Sequence, residues 1–324
     1  MKPQTSASSG TVGIMCVTAA AATFTTADMV MKSLSGQYAL HEVVLFRSLI
    51  AITIVLAVFV PLGGGYRALN SKRMPLHFLR GFCVVFANMS YFFGLASLAL
   101  ADATAIFFVA PLFITALSVP ILGEKVGARR WVAVSVGLIG VVIMVRPGSD
   151  SIKLAAFAPI LAAFAYASMQ ILSRKLGVTE SASTLAFYIQ LTFIIVSGAV
   201  GLVAGHGRFA EGIDDPSMQF LLRAWIWPAP SDFIIILTAG FLSAVGGFLM
   251  SQGYRLAEAA TAAPFEYVAM PIAVLLGYFV WGELPDLTAW IGILLIVGSG
   301  LYAFWRENVR GQPVVSKQPI QKGR

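Results

Sequence analysis

Long apolar runs dominate the chain, and most of them reach the length at which a helix crosses the hydrocarbon core of a bilayer, about 20 residues. Ten such runs lie at residues 11–31, 39–61, 75–98, 101–122, 130–145, 153–173, 182–204, 232–254, 259–281 and 287–305. Only 11% of the residues are charged and 58% are hydrophobic, whereas soluble domains carry about 25% charged residues. We therefore predict an all-α integral membrane protein with ten transmembrane helices. The same composition excludes a disordered chain, a disulfide scaffold and an ordinary soluble enzyme.

The first run has a second interpretation. It follows Lys2 and carries small residues at 19–22, a pattern also found in cleaved signal peptides. Because nine further runs follow it, we predict that this run is retained as the first membrane helix.

Lysine and arginine are distributed unevenly between alternate connections of the runs. With the N-terminus placed inside, the inner segments hold 15 of the 22 basic residues and the outer loops hold 5, while Arg47 and Arg80 lie within runs. Positive charge retains loops on the cytoplasmic side, so we predict that both termini, including a basic tail at 306–324, lie in the cytoplasm. Since this explains the net charge of +7, no nucleic-acid partner is predicted.

Arg80 lies near the inner end of its run. Its side chain is expected to extend to the membrane–water interface.

The two halves of the chain repeat each other. An offset of 159 residues pairs Gly81 with Gly240, Gly94 with Gly253, Trp131 with Trp290, and Gly123-Glu124 with Gly282-Glu283. Upstream, an offset of 143 pairs Lys32 with Lys175 and Arg47 with Gln190. Each repeat, at 11–146 and 153–305, holds five runs, and since five is odd the second repeat is inverted in the membrane. Such repeats underlie alternating access, with the solute site between the halves; the alternative is a duplicated scaffold without a transport role.

Ten spans in two five-helix repeats, each with a Gly-Glu pair after its fourth helix, resemble the drug/metabolite transporter superfamily and, within it, the EamA-type family. The resemblance covers residues 11–305, and its motifs are Gly123-Glu124 and Gly282-Glu283. It implies a secondary carrier of small organic metabolites, built from helices around a central cavity. Members of the family move amino acids, S-adenosylmethionine, riboflavin or other metabolites, so the resemblance leaves the substrate open.

Prolines interrupt two runs that the repeat relates to each other. The fourth run contains Pro111 and Pro120, and the ninth contains Pro264 and Pro271. Proline removes a backbone hydrogen bond and kinks a helix, and the freed carbonyl must face protein, water or ligand rather than lipid. We predict that these two helices border the solute pathway; the alternative is that the kinks serve packing alone.

Three ionisable residues within the runs are candidate site residues, because a charge in mid-span costs about 2.5–3.5 kcal/mol on insertion scales. Asp28 and Arg47 lie near the outer ends of their runs, roughly 7–10 Å below the outer surface at the helical rise. Either they form an ion pair, which can be purely structural, or one of them faces the cavity. Glu266 lies between Pro264 and Pro271. It can bind a cationic group, accept hydrogen bonds from the solute or carry a coupling proton; the alternative is a carboxyl neutralised by packing.

Amides and aromatic rings complete the predicted pathway: Asn88, Gln170 and Gln252 among the amides, and Tyr91, Phe107, Tyr166 and Tyr267 among the rings. Amides offer both donors and acceptors, although they also bond helix to helix. Aromatic rings stack on flat solutes, or pack among themselves. This composition favours a ring-bearing solute such as riboflavin, moved inward. Carriage or export of an amino acid or of S-adenosylmethionine is the alternative.

An intramembrane enzyme is the rival class. The sequence contains no HExxH, GxSxG or GxxxxGK[ST] pattern, and Cys16 and Cys83 lie apart in apolar runs. We therefore predict no catalytic residue, metal or cofactor. The predicted partners are a small solute, membrane lipid, and a coupling proton or counter-solute.

Overall fold

The computed structural model describes residues 6–122, 128–145, 154–176, 180–257 and 262–309, and within them the chain is helical with no strand. Gly123-Glu124 and residues 310–324 of the predicted tail lie outside the described residues. The helices are α1 Ser6–Leu34, α2 Leu40–Ile54, α3 Met74–Leu95, α4 Leu100–Phe107, α5 Ala110–Leu122, α6 Ala128–Val145, α7 Ala158–Leu176, α8 Ala182–Ala204, α9 Pro216–Leu222, α10 Phe233–Leu256, α11 Ala269–Trp281 and α12 Leu287–Val309.

Seven helical stretches of the described chain are long and apolar enough to cross a membrane. They are Gly10–Leu34, Leu40–Leu62, Met74–Leu95, Leu100–Ile121, Ala155–Ser173, Ala182–Ala204 and Pro230–Leu256, and shorter apolar helices occur at Ser135–Met144, Phe265–Trp281 and Leu287–Ser299. Large apolar side chains such as Phe82, Leu202 and Phe279 point away from the protein and are exposed. A surface this apolar suits lipid rather than water, so the structure is that of a multi-pass membrane protein.

Glycines set the closest helix contacts. The helix α1 packs along α10, and α3 packs along α7. A Cβ placed on Gly253 would lie 2.5 Å from Val17 Cγ2, and one on Gly94 would lie 2.8 Å from Pro159 Cδ. Small residues let helix backbones approach in this way. Since the start of α1 meets the end of α10, and the end of α3 meets the start of α7, both pairs are antiparallel.

Helices α6 and α12 make a reciprocal contact through two further glycines. A Cβ on Gly140 would lie 2.9 Å from the Gly292 carbonyl oxygen, and a Cβ on Gly292 would lie 2.9 Å from the Gly140 carbonyl oxygen. Neither position has room for a side chain. The two helices are therefore joined backbone to backbone.

Two helices are interrupted next to each other. The helix α4 ends at Phe107 and α5 begins at Ala110, so Pro111 occupies the first turn of α5, where its missing N–H costs little. In the second half, a 3-10 segment, Ala263–Val268, precedes α11, and Pro271 lies in the first turn of α11. The helices α4 and α11 pack together, which brings the interruptions into one region of the bundle.

An ion pair ties three segments together at one end of the bundle. The Lys32 ammonium, at the end of α1, lies 2.7 and 3.0 Å from the two carboxylate oxygens of Glu283. It also donates to the Leu98 carbonyl at 3.1 Å and lies 4.7 Å from the centre of a Trp281 ring. These contacts join α1, the turn after α3 and the end of α11.

The connection between α8 and α10 is anchored to the start of α2. The Tyr38 hydroxyl donates to Asp232 Oδ2 at 2.6 Å and accepts from the Ala229 N–H at 3.0 Å. The hydrogen bond to Asp232 raises the pKa of Tyr38. His41 stacks on Trp225, with ring centroids 5.8 Å apart. This connection is therefore packed onto the bundle.

Candidate functional site

A cavity of about 180 Å³ lies among α1, α2, α3, α7, α8 and α10, beside the interruptions of α4 and α11. Its lining combines apolar side chains with buried polar ones. The polar and aromatic members are Phe24, Thr25, Asp28, Arg47, Arg80, Asn88, Tyr91, Thr104, Phe107, Phe108, Tyr166, Gln170, Ser173, Gln190, Phe193, Ser243, Ser251, Tyr254 and Glu266.

Eight of the ten residues predicted for the pathway line this cavity: Asp28, Arg47, Asn88, Tyr91, Phe107, Tyr166, Gln170 and Glu266. Tyr267 and Gln252 lie outside the lining. The Tyr267 ring packs against Phe108 in the core, with centroids 5.2 Å apart. Gln252 accepts a hydrogen bond from Arg255 at 3.2 Å on an exposed face of α10.

Glu266 forms the first polar cluster of the cavity. Its carboxylate accepts hydrogen bonds from the hydroxyls of Tyr254 and Tyr166, the latter at 3.1 Å. Gln170 in turn donates to the Tyr166 hydroxyl at 2.7 Å. Among the ion pairs of the described residues, none includes Glu266. The buried carboxyl of Glu266 is thus hydrogen-bonded by neutral donors alone. This arrangement leaves the carboxyl able to bind a cation or a proton.

Arg47 forms the second polar cluster. Its Nη2 donates to Asn88 Oδ1 at 2.6 Å, rather than to the carboxylate of Asp28, which lines the same cavity. The guanidinium lies between the rings of Phe92 and Phe193, 5.5 and 5.1 Å from their centroids. Both side chains line the cavity, and their opposite charges attract each other, but no direct ion pair between them is present.

Three aromatic rings connect the two clusters. Tyr91 packs edge-on against Phe107, and Phe107 packs edge-on against Tyr166, with centroids 5.3 Å apart in each case. Tyr91 follows Asn88 along α3, and Tyr166 bonds Glu266. Phe107 is the last residue of α4, so the interruption of that helix places a ring in the middle of the cavity. The polar groups therefore lie at the two ends of an aromatic wall.

The expectation that Arg80 extends to the interface is wrong. The side chain is only 2% exposed and lines the cavity. Its Nε donates to Ser173 Oγ at 2.6 Å and its Nη1 to the Leu185 carbonyl at 3.0 Å. Because α7 and α8 close over this part of α3, they supply acceptors that water would otherwise provide. Arg80 thus joins three helices.

Sequence reasoning missed most of the α10 contribution. Ser243, Gly247, Ser251 and Tyr254 all line the cavity, and their spacing of three or four residues puts them on one helix face. The apolar pattern places Tyr254 only at the end of a predicted run. The periodicity of small polar residues in an otherwise apolar run was the available signal.

Comparison with known proteins identifies the family. A family model described as the EamA-like transporter family matches residues 11–146 and 153–305. The chain belongs to the EamA-like transporter family. This EamA-like protein is therefore a multi-pass membrane transporter rather than an enzyme.

Two relatives with functional names cover most of the EamA-like chain. An S-adenosylmethionine uptake transporter of Rickettsia prowazekii (strain Madrid E) is 29% identical over 87% of this chain and 88% of its own length. A riboflavin transporter of Vibrio cholerae serotype O1 is 29% identical over 89% of this chain and 91% of its own length. A crystal structure superposes with a TM-score of 0.66 at 17% identity, over 94% of this chain and 99% of that chain. The last likeness shows the fold alone.

Proposed function

We propose that this EamA-like transporter is a secondary carrier of a ring-bearing metabolite in the bacterial inner membrane, with riboflavin import as the first candidate. The observation that carries the proposal is the aromatic wall of Tyr91, Phe107 and Tyr166 between two polar clusters in the cavity. Flat rings stack on such a wall, while the amides of Asn88 and Gln170 offer donors and acceptors to a heterocycle. The similarity to a named riboflavin transporter supports this choice.

S-adenosylmethionine is the second candidate, and a different observation favours it. The cavity contains two carboxyl groups, those of Asp28 and Glu266, and neither is held in an ion pair with Arg47, whose Nη2 bonds Asn88 instead. A sulfonium and an ammonium group would each find a carboxylate, and the adenine ring would lie on the aromatic wall. The named S-adenosylmethionine relatives support this candidate. An amino-acid carrier or an exporter of the same family is the broader alternative.

The proposed architecture is ten membrane spans in two inverted five-helix repeats, with both termini in the cytoplasm. The helix pairs support it. Gly94 and Gly253, related by the 159-residue offset, both hold antiparallel contacts, the first against Pro159 and the second against Val17. The 143-residue offset relates Val17 to Ile160, the neighbour of Pro159, so exchanging the halves carries one contact onto the other to within one residue, as a twofold repeat requires.

Alternating access requires that contacts across one end of the cavity break while those at the other end form. The pair between Lys32 and Glu283 is one contact that must break when the cavity opens at the end of α1. Glu266 is the candidate for carrying a coupling proton, because its carboxyl is held by two tyrosines and by no cation among the described residues. A counter-solute is the alternative coupling partner.

Uptake into proteoliposomes tests the proposal. We expect purified protein to accumulate labelled riboflavin, or S-adenosylmethionine, in competition with the unlabelled compound. Phe107→Ala removes the central ring and should weaken transport of a flat solute about tenfold, because the solute no longer buries its face against an aromatic surface. Phe279→Ala, on an exposed face, is the matched control. Absence of uptake of both compounds by the unmodified protein would contradict the proposed substrate class.

A further inference from the structure

The charged groups of the cavity are not shared equally by the two halves of the chain. The 143-residue offset pairs Arg47 with Gln190, and the 159-residue offset pairs Asn88 with Gly247. Arg47 Nη2 donates to Asn88 Oδ1 at 2.6 Å, and a Cβ on Gly247 would lie 4.0 Å from Gln190 Nε2. The two pairs therefore occupy corresponding places, and of the two the first carries a cation while the second is neutral.

Arg47 has a donor that the protein does not use. A guanidinium offers five N–H groups, and Arg47 Nε is buried without a hydrogen-bond partner among the described residues. The side chain is 6% exposed and lines the cavity. An unpaired donor buried in this way is costly, and a cation inside the membrane more so. Such a group is suited to an acceptor that a ligand brings.

Ser243 adds an independent observation on the same side of the cavity. Its hydroxyl is buried without a partner among the described residues, and it too lines the cavity. Ser243 follows Gly240 by three residues on α10, and a Cβ on Gly240 would lie 3.0 Å from the Arg47 carbonyl oxygen. Both unpartnered groups thus belong to the place where α2 meets α10.

We propose that the side of the cavity where α2 meets α10 binds two acceptor atoms that are bonded to the same carbon of the solute, with Arg47 as the specificity-determining donor. The two oxygens of a carboxylate fit this description, and so do N1 and O2 of an isoalloxazine ring. A guanidinium meets such a pair in one plane, whereas Gln190 offers a neutral amide. The inference rests on the proposed function and adds an orientation: the acceptor edge faces α2 and the ring lies along Phe107.

Paired solutes test the inference in proteoliposomes of the full-length protein. Riboflavin is compared with 1-deazariboflavin, which lacks the N1 acceptor, and S-adenosylmethionine with its decarboxylated form. We expect the unmodified protein to prefer the intact member of the transported pair about tenfold or more, as for a hydrogen bond to a charged group. Arg47→Gln should remove that preference. Arg47→Lys should keep part of it, because an ammonium keeps the charge without the planar fork.

Arg80→Gln is the matched control, since Arg80 is a buried cavity guanidinium whose Nε and Nη1 bond Ser173 and Leu185 within the protein. It should lower uptake of both members of a pair alike. A purely structural role for Arg47 predicts the same uniform loss. If Arg47→Gln keeps the preference, or loses both compounds equally, the inference is overturned while the proposed function stands.

Chemical protection separates the inference from the choice of substrate. Phenylglyoxal modifies guanidinium groups, and mass spectrometry locates the adduct. We expect benzoate, which carries a carboxylate on a ring, to protect Arg47, and benzamide to protect it weakly. If neither riboflavin nor S-adenosylmethionine is taken up, that protection still supports the acceptor site while the proposed substrates fail. Equal protection by both probes, or none, overturns the acceptor site.

Discussion

Lys32 and Glu283, which are 251 positions apart in the chain, form an ion pair with Nζ 2.7 Å from Oε2. The same carboxylate accepts from the Leu100 N–H at 3.4 Å, at the first residue of α4. One carboxylate therefore links the ends of α1 and α11 to the start of a helix whose last residue, Phe107, reaches the cavity. We therefore expect a change at this pair to affect the solute site through α4.

Glu283→Gln should favour opening of the cavity at the end of α1. Glu283 is 35% exposed, so the lost interaction is worth about 1 kcal/mol or less, enough to change an equilibrium severalfold. The measurement is the labelling rate of a cysteine at Thr25, which lines the cavity, by a water-soluble maleimide in protein lacking the native cysteines. We expect faster labelling. A charge swap, Lys32→Glu with Glu283→Lys, should restore part of the original rate, and identical rates in all three proteins would contradict the assignment.

Glu266→Gln should separate transport from its driving force. The amide still accepts from Tyr166 or Tyr254 but cannot carry a proton. If Glu266 couples transport to protons, the variant should keep solute exchange between the two sides of a proteoliposome and lose accumulation driven by a pH gradient. Gln252→Ala, outside the cavity lining, is the control. Full accumulation by Glu266→Gln under the gradient would remove Glu266 from the coupling step.

Gly253→Ala should destabilise the contact between α1 and α10. The added methyl would lie 2.5 Å from Val17 Cγ2 and 3.0 Å from the Gly13 carbonyl oxygen, an overlap of the kind that costs about 1–3 kcal/mol. We expect a lower thermal midpoint in detergent. The control is Gly198→Ala in α8, where an added Cβ meets nothing within 4 Å. A Gly253→Ala protein that melts at or above the midpoint of the unmodified protein would show that α1 and α10 move apart without cost, which would contradict this prediction.

Tyr38→Phe should loosen the connection between α8 and α10. It removes a donor to Asp232 and an acceptor for Ala229, worth about 1–3 kcal/mol together. Since the folded-state pKa of Tyr38 is raised, this stabilisation is present below the unfolded pKa of about 10 and is lost as the pH rises through the folded value. The midpoints of the two proteins should therefore differ at pH 7 and converge in strong alkali. Tyr278→Phe, on an exposed residue, is the control, and a constant difference at all pH values would contradict the assignment.

The apolar runs predicted where helices form, because burial of backbone polar groups in lipid leaves few other options. The interruption near Pro111 was predictable because proline lacks the N–H that a continuous helix needs at that position. The hydrogen-bond partners of the buried polar side chains were not predictable. Asp28 and Arg47 have opposite charges at similar depths, yet Arg47 bonds Asn88 because a third helix supplies a closer acceptor.

Tertiary packing decides the remaining cases. Tyr267 follows Glu266 directly, yet successive residues of a helical segment point in different directions, and the ring turns to Phe108 in the core. Arg80 is close to the end of a predicted run, and no single-helix pattern shows that α7 and α8 cover it. A sequence locates a residue along its own helix, whereas its neighbours are set by helices distant in the chain.

The turn at Phe108 and Val109 bears on how the protein is assembled. It divides the fourth run into helices of 8 and 13 residues, about 12 and 20 Å long, whereas the hydrocarbon layer is about 30 Å thick. Neither piece spans the layer alone. The N–H groups of Phe108 and Val109 keep hydrogen bonds to the last turn of α4, but Pro111 offers no N–H to the carbonyl four residues before it, and that carbonyl needs protein around it. We therefore expect this span to be completed during biogenesis only once the helices that pack around the turn are in place.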